Sequence, residues 1–210
     1  MYQFGRVLTL QGDARETMPW AMEVTAHVNA NTDMDVTLWG SVFGYPVGTL
    51  AWSTMVEGRA QLSGEMAKLP TDAAYLDLAL KAQEWVTGPA EDIFRNVVHG
   101  GPGDTPPAVG AIASVTQAVA ATGKMPEAVA WGIDMAQHAS SVTGHPVSLL
   151  VNAYGDFGGM AFISTAADMA AADASSDALQ ADTDYIAKIS ASSGMFVDGS
   201  AHQSLLRRLA

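Results

Sequence analysis

The chain has 210 residues, and its 10 Lys and Arg against 22 Asp and Glu give a formal net charge of −12. Nucleic acid is excluded as a partner because no clustered cations are available to bind phosphate, and the absence of Cys excludes disulfides and thiolate metal sites. We expect a cytoplasmic protein, since no apolar run approaches the roughly 20 residues of a membrane span and the first residues lack a signal-peptide pattern.

The first half of the sequence predicts the order strand, helix, hairpin, helix and strand. Its centre is VTLWGSVFGYPVGTLAWSTMV (36–56), in which two β-prone runs flank a turn rich in Gly, a pattern typical of a hairpin. Pro70 predicts a break in the helix that follows, with Asp72 as the N-cap of its second part. The five predicted elements are 4–10, 13–31, 36–56, 59–86 and 91–99.

The second half restarts in the same order after GGPGDTPPA (100–108), whose composition is typical of a linker. A second helical stretch follows the second hairpin, and we predict a break in it near Ser175. The predicted elements are a strand at 109–117, a helix at 126–140, a hairpin at 147–167, the helical stretch at 166–190, a strand at 195–198 and a tail at 203–209.

Matching residues indicate that the two halves are copies of one unit. Gly44 and Gly48 of the first hairpin reappear as Gly155 and Gly159, 111 residues further along the chain. The pair Met18-Pro19 reappears as Met125-Pro126, a smaller separation that predicts four extra residues between helix and hairpin in the second copy. Six elements in the same order indicate an internal duplication.

Each half has the order β-α-β-β-α-β, which is the ferredoxin-like split unit. Two such units in one chain resemble the dimeric α+β barrel superfamily in a tandem fused form, similar to NIPSNAP-like and antibiotic-biosynthesis-monooxygenase-like barrels. The superfamily also includes the haem-binding chlorite dismutases. The resemblance implies an α+β fold in which two tandem ferredoxin-like repeats, 1–100 and 109–210, form one intrachain barrel, with 101–108 as the linker.

Side-chain alternation sorts the hairpin residues onto two faces. Pairing the strands symmetrically about Pro46 puts Leu38, Gly40, Leu50 and Trp52 on one apolar face, with the Trp52 indole across Gly40. We expect this face under the helices, and Trp39 on the opposite face.

The opposite face mixes aromatic and small polar side chains in both copies, and in a fused barrel it lines the interior. An apolar cavity with a few polar groups is typical of small-molecule sites, so we predict a ligand site there. The alternative is that these polar groups bond within the sheet or to buried water. The predicted site residues are Trp39, Ser41, Phe43, Ser53, Asn152, Tyr154, Phe162 and Ser164.

Two residues of the predicted strand at 91–99 are candidates for catalysis. Their parity puts Arg95 and His99 on one face, where a neutral imidazole acts as a base or a haem ligand. Arg6, on the first predicted strand, needs a carboxylate or a ligand anion if it is buried. The His spacing predicts no metal site, and without a phosphate loop or dinucleotide fingerprint the sequence predicts no cofactor.

The leading hypothesis is therefore a small-molecule-binding α+β barrel, acting as a cofactor-independent oxygenase, isomerase or cyclase on an aromatic or polyketide-like ligand. The alternative is a non-catalytic interaction or assembly protein whose barrel is filled by its own side chains. A third hypothesis is a haem protein that uses His99. The expected partners are a small apolar or aromatic ligand and further copies of the chain in a homo-oligomer.

Overall fold

The computed structural model describes residues 1–101 and 106–210, in which eight strands and six α-helices are formed. A short 3₁₀ turn, Leu69–Thr71, contains Pro70 and separates the helix Arg59–Met66 from the helix Ala73–Ala82. The strands are Tyr2–Thr9 (β1), Thr37–Phe43 (β2), Thr49–Val56 (β3), Glu91–His99 (β4), Ile112–Val119 (β5), Val147–Asn152 (β6), Gly159–Ala166 (β7) and His202–Arg208 (β8). The helices are Ala14–Asn31 (α1), Arg59–Met66 (α2), Ala73–Ala82 (α3), Met125–Thr143 (α4), Met169–Ala181 (α5) and Thr183–Ala191 (α6).

Hydrogen bonds join the strands in the order β1-β3-β2-β8-β5-β7-β6-β4, which closes into a barrel. The central pairs of both halves, β1 with β3 and β5 with β7, are antiparallel along their whole length. The same order of elements occurs in both halves, so the predicted α+β fold of two tandem ferredoxin-like repeats is confirmed. No helix within the described part of the chain is both long and apolar enough to cross a bilayer.

The chain forms two compact units. The first contains Met1–Ser41, Tyr45–Phe94 and Arg208–Ala210, and the second contains Val42–Gly44 and Arg95–Arg207. The linker predicted at 101–108 remains a prediction, because 102–105 lie outside the described residues.

Three tryptophans organise the core of the first unit. Trp20 of α1 meets the rings of Trp52 and Trp85 edge-on, with centroids 6.1 and 5.7 Å away. Its Nε1 donates to the carbonyl of Leu78 in α3, at 3.0 Å, while Trp52 Nε1 donates to Thr25 Oγ1, at 2.9 Å. Trp52 therefore packs under the helices, as predicted.

The first hairpin has the predicted faces but a different register. Leu38 lies opposite Trp52, so Trp39 is on the other face of β2, where its indole donates to Thr37 Oγ1 at 2.8 Å. Gly40 lies opposite Leu50, and a Cβ atom on it would lie 2.9 Å from Leu209 Cδ1. The predicted placement of Trp52 across from Gly40 is therefore wrong.

The second unit repeats the tryptophan contact with a tighter helix packing. Trp131 of α4 donates from Nε1 to the carbonyl of Lys188 at 2.9 Å, and its ring meets Phe162 and Phe196 edge-on. A Cβ atom on Gly132 would lie 2.8 Å from Leu149 Cδ2. Gly132 therefore allows α4 to pack closely on its sheet.

Equivalent contacts correct the predicted alignment of the two copies. Trp131 makes the same contact as Trp20 and lies 111 residues after it, which is also the separation of Gly155 from Gly44. The predicted insertion of four residues before the second hairpin is therefore wrong. Leu10 N donates to Gly48 O, whereas Ala120 N donates to Gly158 O, so Gly158 rather than Gly159 matches Gly48. The second hairpin is one residue shorter.

The shorter hairpin exchanges the predicted faces of β7. Phe162 lies opposite Leu149 and packs on Trp131 of α4, and Ser164 lies opposite Val147. Their predicted position on the face away from the helices is wrong, because a shift of one residue sends every side chain of a strand to the other face.

Two boundaries in the second half also differ from the sequence analysis. The predicted tail forms β8, while 195–198 contains only an isolated bridge from Phe196 to Ala120. The helix break falls at Asp182, whose carboxylate accepts from Tyr185 N as the N-cap of α6. Ser175 lies inside α5, where its hydroxyl donates to the carbonyl of Ala171.

The close contact at Gly48, in the turn of the first hairpin, predicts that a Gly→Ala substitution there lowers stability more than the same substitution at Gly88. Gly48 and Gly88 have nearly the same positive φ, +86° and +87°. A Cβ at position 48 would lie 2.2 Å from Leu10 O, whereas at position 88 nothing lies within 4 Å. We expect Gly88→Ala to cost about 1–2 kcal/mol of unfolding free energy from its φ alone.

Gly48→Ala should cost a further ~1–3 kcal/mol, because the clash forces the backbone to move. Urea unfolding of the two variants measures the difference. Equal losses would show that the contact with Leu10 does not constrain the turn.

Candidate functional site

A cavity of about 340 Å³ lies between the sheet and the helices of the first unit. Its wall is mostly apolar, with two tryptophans and few polar side chains. The lining residues are Phe4, Arg6, Leu8, Trp20, Val24, Val28, Met34, Val36, Trp52, Ser53, Thr54, Met66, Leu69, Tyr75, Ala79, Ala82, Gln83, Val86 and Ala90.

The periodicity of the elements explains why these residues share one space. Phe4 and Arg6 alternate along β1 and lie opposite Thr54 and Trp52 of β3, so all four side chains are on the helix-facing side of the sheet. Val24 and Val28 stand one turn apart on α1, above that side.

Arg6 is the one charged residue in the described cavity wall. Its Nε and Nη2 atoms donate to the two carboxylate oxygens of Asp92, at 2.7 and 2.8 Å. The hydrogen bond to Asp92 raises the pKa of the Arg6 guanidinium, against the opposing effect of burial. The expectation that Arg6 pairs with a carboxylate or an anion is confirmed with a carboxylate, and the pair brings no net charge to the cavity.

The wall formed by α3 is fixed at its first turn. Asp72 caps the helix by accepting from Ala74 N at 2.9 Å, and its other oxygen is 2.6 Å from His27 Nε2 on α1. Tyr75, which lines the cavity, stacks on His27 with ring centroids 6.5 Å apart. The hydrogen bond from His27 lowers the pKa of the Asp72 carboxyl.

The second copy has the same contact between a helix His and a capping Asp, but it has different residues at the positions that line the cavity. His138 Nε2 lies 2.8 Å from Asp182 Oδ1, which caps α6. Thr116 stands in the strand position of Arg6, opposite Phe162 as Arg6 is opposite Trp52. The cation is therefore specific to the first unit, whereas the helix link belongs to both.

The predicted site residues of the first unit are partly satisfied within the sheet. Trp39 is buried with its indole bonded to Thr37, and Ser41 is half-buried. Ser53 Oγ accepts from Gln3 Nε2 at 3.2 Å, and Ser53 also borders the cavity.

The predicted site residues of the second unit are not among those that line the cavity. Asn152 Oδ1 accepts from Arg95 Nε at 3.0 Å, and Arg95 Nη2 donates to Gln117 Oε1 at 2.8 Å. Phe43 and Tyr154 are 64% and 57% exposed. The ligand-binding roles of these residues, and of Phe162 and Ser164, remain predictions.

Arg95 and His99 do not share the face predicted for them. Arg95 lies opposite Asn152, but the register of β4 shifts between Val97 and His99, so His99 lies opposite Leu149. Since Leu149 belongs to the helix-facing core and Asn152 alternates with it onto the other face, the bulge separates the two side chains. Their catalytic roles stay predictions.

The sequence analysis missed the helix-side cavity. Alternation on the first strand gave a usable signal, because Arg6 falls on the same face as Phe4 and Leu8. An Arg on an otherwise apolar strand face requires a counter-charge beside the core. Within residues 1–101 and 106–210, no three His, Asp or Glu side chains form a group able to hold a metal ion.

Solved structures share this fold across the whole chain. A candidate monooxygenase from Fusobacterium nucleatum matches with a TM-score of 0.74 and 9% identity, over 100% of this chain and 92% of that one. The chain has the fold of the tandem α+β barrels. An anthrone oxidase-like protein matches with a TM-score of 0.71 and 13% identity, over 100% and 91% of the two chains.

A third structure, a candidate monooxygenase from Lactobacillus acidophilus, matches this tandem barrel with a TM-score of 0.66 and 14% identity, over 99% of this chain and 93% of that one. No protein-family model and no curated protein matches the sequence. At these identities the likeness establishes the fold.

The link between α1 and α3 predicts an acid-dependent loss of stability. A carboxyl whose pKa is lowered by folding stabilises the fold above its unfolded pKa of about 3.9, and this stabilisation is lost as the pH falls through the folded pKa. Asp72→Asn keeps an N-cap oxygen but does not titrate. We expect wild type to be the more stable at pH 5 and the difference to shrink toward pH 2.5, as measured by urea unfolding.

Asp177→Asn, at an exposed position on α5, is the control and should follow the wild-type curve. If the curves of wild type and Asp72→Asn stay parallel over this range, the bond with His27 does not contribute to stability.

Proposed function

We propose that the first unit binds a small, mainly apolar ring compound in the helix-side cavity. The observation that carries this proposal is the cavity itself, about 340 Å³ of space in a wall with Trp20 and Trp52. Small-molecule sites are typically of this size and composition, with few polar groups to orient the ligand. The rings of Trp20 and Trp52 offer flat surfaces on which an aromatic ligand packs.

We propose further that the bound molecule is oxidised by molecular oxygen without a cofactor. The names of the structural relatives, two candidate monooxygenases and one anthrone oxidase-like protein, support oxidation as the first reaction to test. For anthrone, one atom of O₂ enters the ring carbon as a carbonyl oxygen and the other leaves as water, giving anthraquinone. Isomerisation and cyclisation of a related ligand are the other reactions that this hypothesis includes.

The chain's own residues would bind and orient such a substrate. The apolar wall excludes water from the ring system, and excluding water strengthens each polar contact that remains. Arg6 is held in place by both oxygens of Asp92, so its remaining N–H groups are fixed donors at the edge of the cavity.

Filling the cavity should abolish binding. Val24 is half-buried in the cavity wall, and Val24→Phe places a ring where the ligand would lie. We expect naphthalene to shift the indole N–H signals of Trp20 and Trp52 saturably in wild type, and at least tenfold more weakly in this variant. A nuclear magnetic resonance titration measures the effect.

Ala26→Phe adds the same ring at an exposed position of α1 and serves as the control. It should bind naphthalene as wild type does. Equal binding by all three proteins would place the ligand elsewhere.

The reaction is tested with anthrone in air, following anthraquinone by its absorbance. We expect wild type and Ala26→Phe to form anthraquinone above the uncatalysed rate, and Val24→Phe to lose most of that increase because substrate cannot enter. If wild type binds naphthalene but leaves anthrone unchanged, the binding function stands without this reaction.

The other hypotheses from the sequence have separate readouts. Failure of the cavity to bind any ring compound would leave the non-catalytic interaction protein as the better hypothesis, and native mass spectrometry would detect its partner. A haem titration in which the protein causes no saturable shift of the Soret band would end the hypothesis of a haem ligand at His99.

A further inference from the structure

Thr54 lines the cavity, and its buried hydroxyl has no hydrogen-bond partner among the described residues. The residue is 4% exposed, and its Oγ1 is buried. Buried hydroxyl groups in proteins are nearly always paired, because an unpaired one destabilises the fold. Thr54 therefore requires an explanation.

The neighbouring polar groups are paired. Trp52 Nε1 donates to Thr25 Oγ1, and Ser53 Oγ accepts from Gln3 Nε2. The residue opposite Thr54 in β1 is Phe4, whose side chain has no hydrogen-bonding atom. The polar groups of Trp52 and Ser53 are thus satisfied by α1 and β1, whereas neither element bonds the Thr54 hydroxyl.

The charges of the wall limit what that molecule can be. Arg6 supplies the only charge in the described wall, and its bidentate contact with Asp92 neutralises it. An anionic or cationic ligand would enter an apolar space without a counter-ion, which is strongly unfavourable. An uncharged ligand with one oxygen loses less hydration and regains a hydrogen bond at Thr54.

We propose that Thr54 anchors the ligand, and that the ligand is an uncharged ring compound with a hydroxyl or carbonyl oxygen directed at this side chain. This inference rests on the proposed binding function. It makes Thr54 a specificity-determining residue, since it distinguishes an oxygen-bearing ring from the bare hydrocarbon of the same shape.

A matched pair of probes tests the anchor. We expect wild type to bind 2-naphthol about tenfold more tightly than naphthalene, since one additional hydrogen bond is worth about that ratio. Thr54→Val keeps the shape of the side chain and removes the hydroxyl, so it should bind the two probes within about twofold of each other. Thr54→Ser keeps the hydroxyl and should keep the preference.

A charged probe and a stability measurement complete the design. The anion 2-naphthoate should bind wild type at least tenfold more weakly than 2-naphthol. Thr54→Val should unfold at the same urea concentration as wild type or a higher one, because it removes an unpaired buried hydroxyl. A purely structural role for the hydroxyl predicts a lower unfolding midpoint instead.

The outcomes separate this inference from the function on which it rests. Equal binding of naphthalene and 2-naphthol by wild type, or an unchanged preference in Thr54→Val, overturns the anchor and leaves the binding function in place. Naphthoate binding as tight as that of 2-naphthol overturns the neutral ligand. Absence of binding by every probe overturns both the anchor and the proposed function.

Discussion

In each unit, one indole N–H joins the first helix to the last helix. Trp20 donates to the carbonyl of Leu78, and Trp131 donates to that of Lys188, at 3.0 and 2.9 Å. A buried indole N–H needs such a partner, so the ring cannot turn away without leaving a polar atom unpaired. The same rings contact a strand residue, Trp52 in one unit and Phe162 in the other, and so fix each first helix on its sheet.

The two units use this shared frame differently. In the second, Gly132 brings α4 close to Leu149, and the fully buried positions of α4 include Ala128 and Ala136. In the first, the same layer encloses a cavity with a neutralised cation beside it. The same frame therefore accommodates close packing of the first helix in one unit and a cavity beside it in the other.

Most of the fold was predicted from the regular spacing of apolar residues along the strands and helices. The position of Trp52 under the helices and the cap at Asp72 both followed from local pattern, and both are as predicted. The failures arose where a single residue changes the parity of a strand, in the shorter second hairpin and at the bulge before His99. A sequence does not reveal the length of a turn when two glycines compete for one role, as Gly158 and Gly159 do.

The candidate site was harder to predict because a cavity is space that the side chains leave unfilled, and no sequence pattern marks such a space. Most of the residues around it have the pattern of ordinary core, and Arg6 and Thr54 are the polar residues on the helix-facing side of β1 and β3 in the cavity wall. The ion pair of Arg6 joins two strands far apart in sequence, and its partner Asp92 has no local signal. The sequence analysis placed the ligand on the opposite face because the mixture of polar and aromatic residues there is more conspicuous.

The shorter second hairpin decides how parts of the two units can be exchanged. A chimera aligned on the conspicuous glycines would replace Trp52 by Ile163, a residue that alternates with Phe162 and belongs to the face away from α4. One aligned on the carbonyl contacts of Gly48 and Gly158 would replace it by Phe162, which already packs on a helix tryptophan. The two copies are thus interchangeable only in the alignment set by their backbone contacts. An alignment based on residue identity alone puts every side chain of one strand on the wrong face.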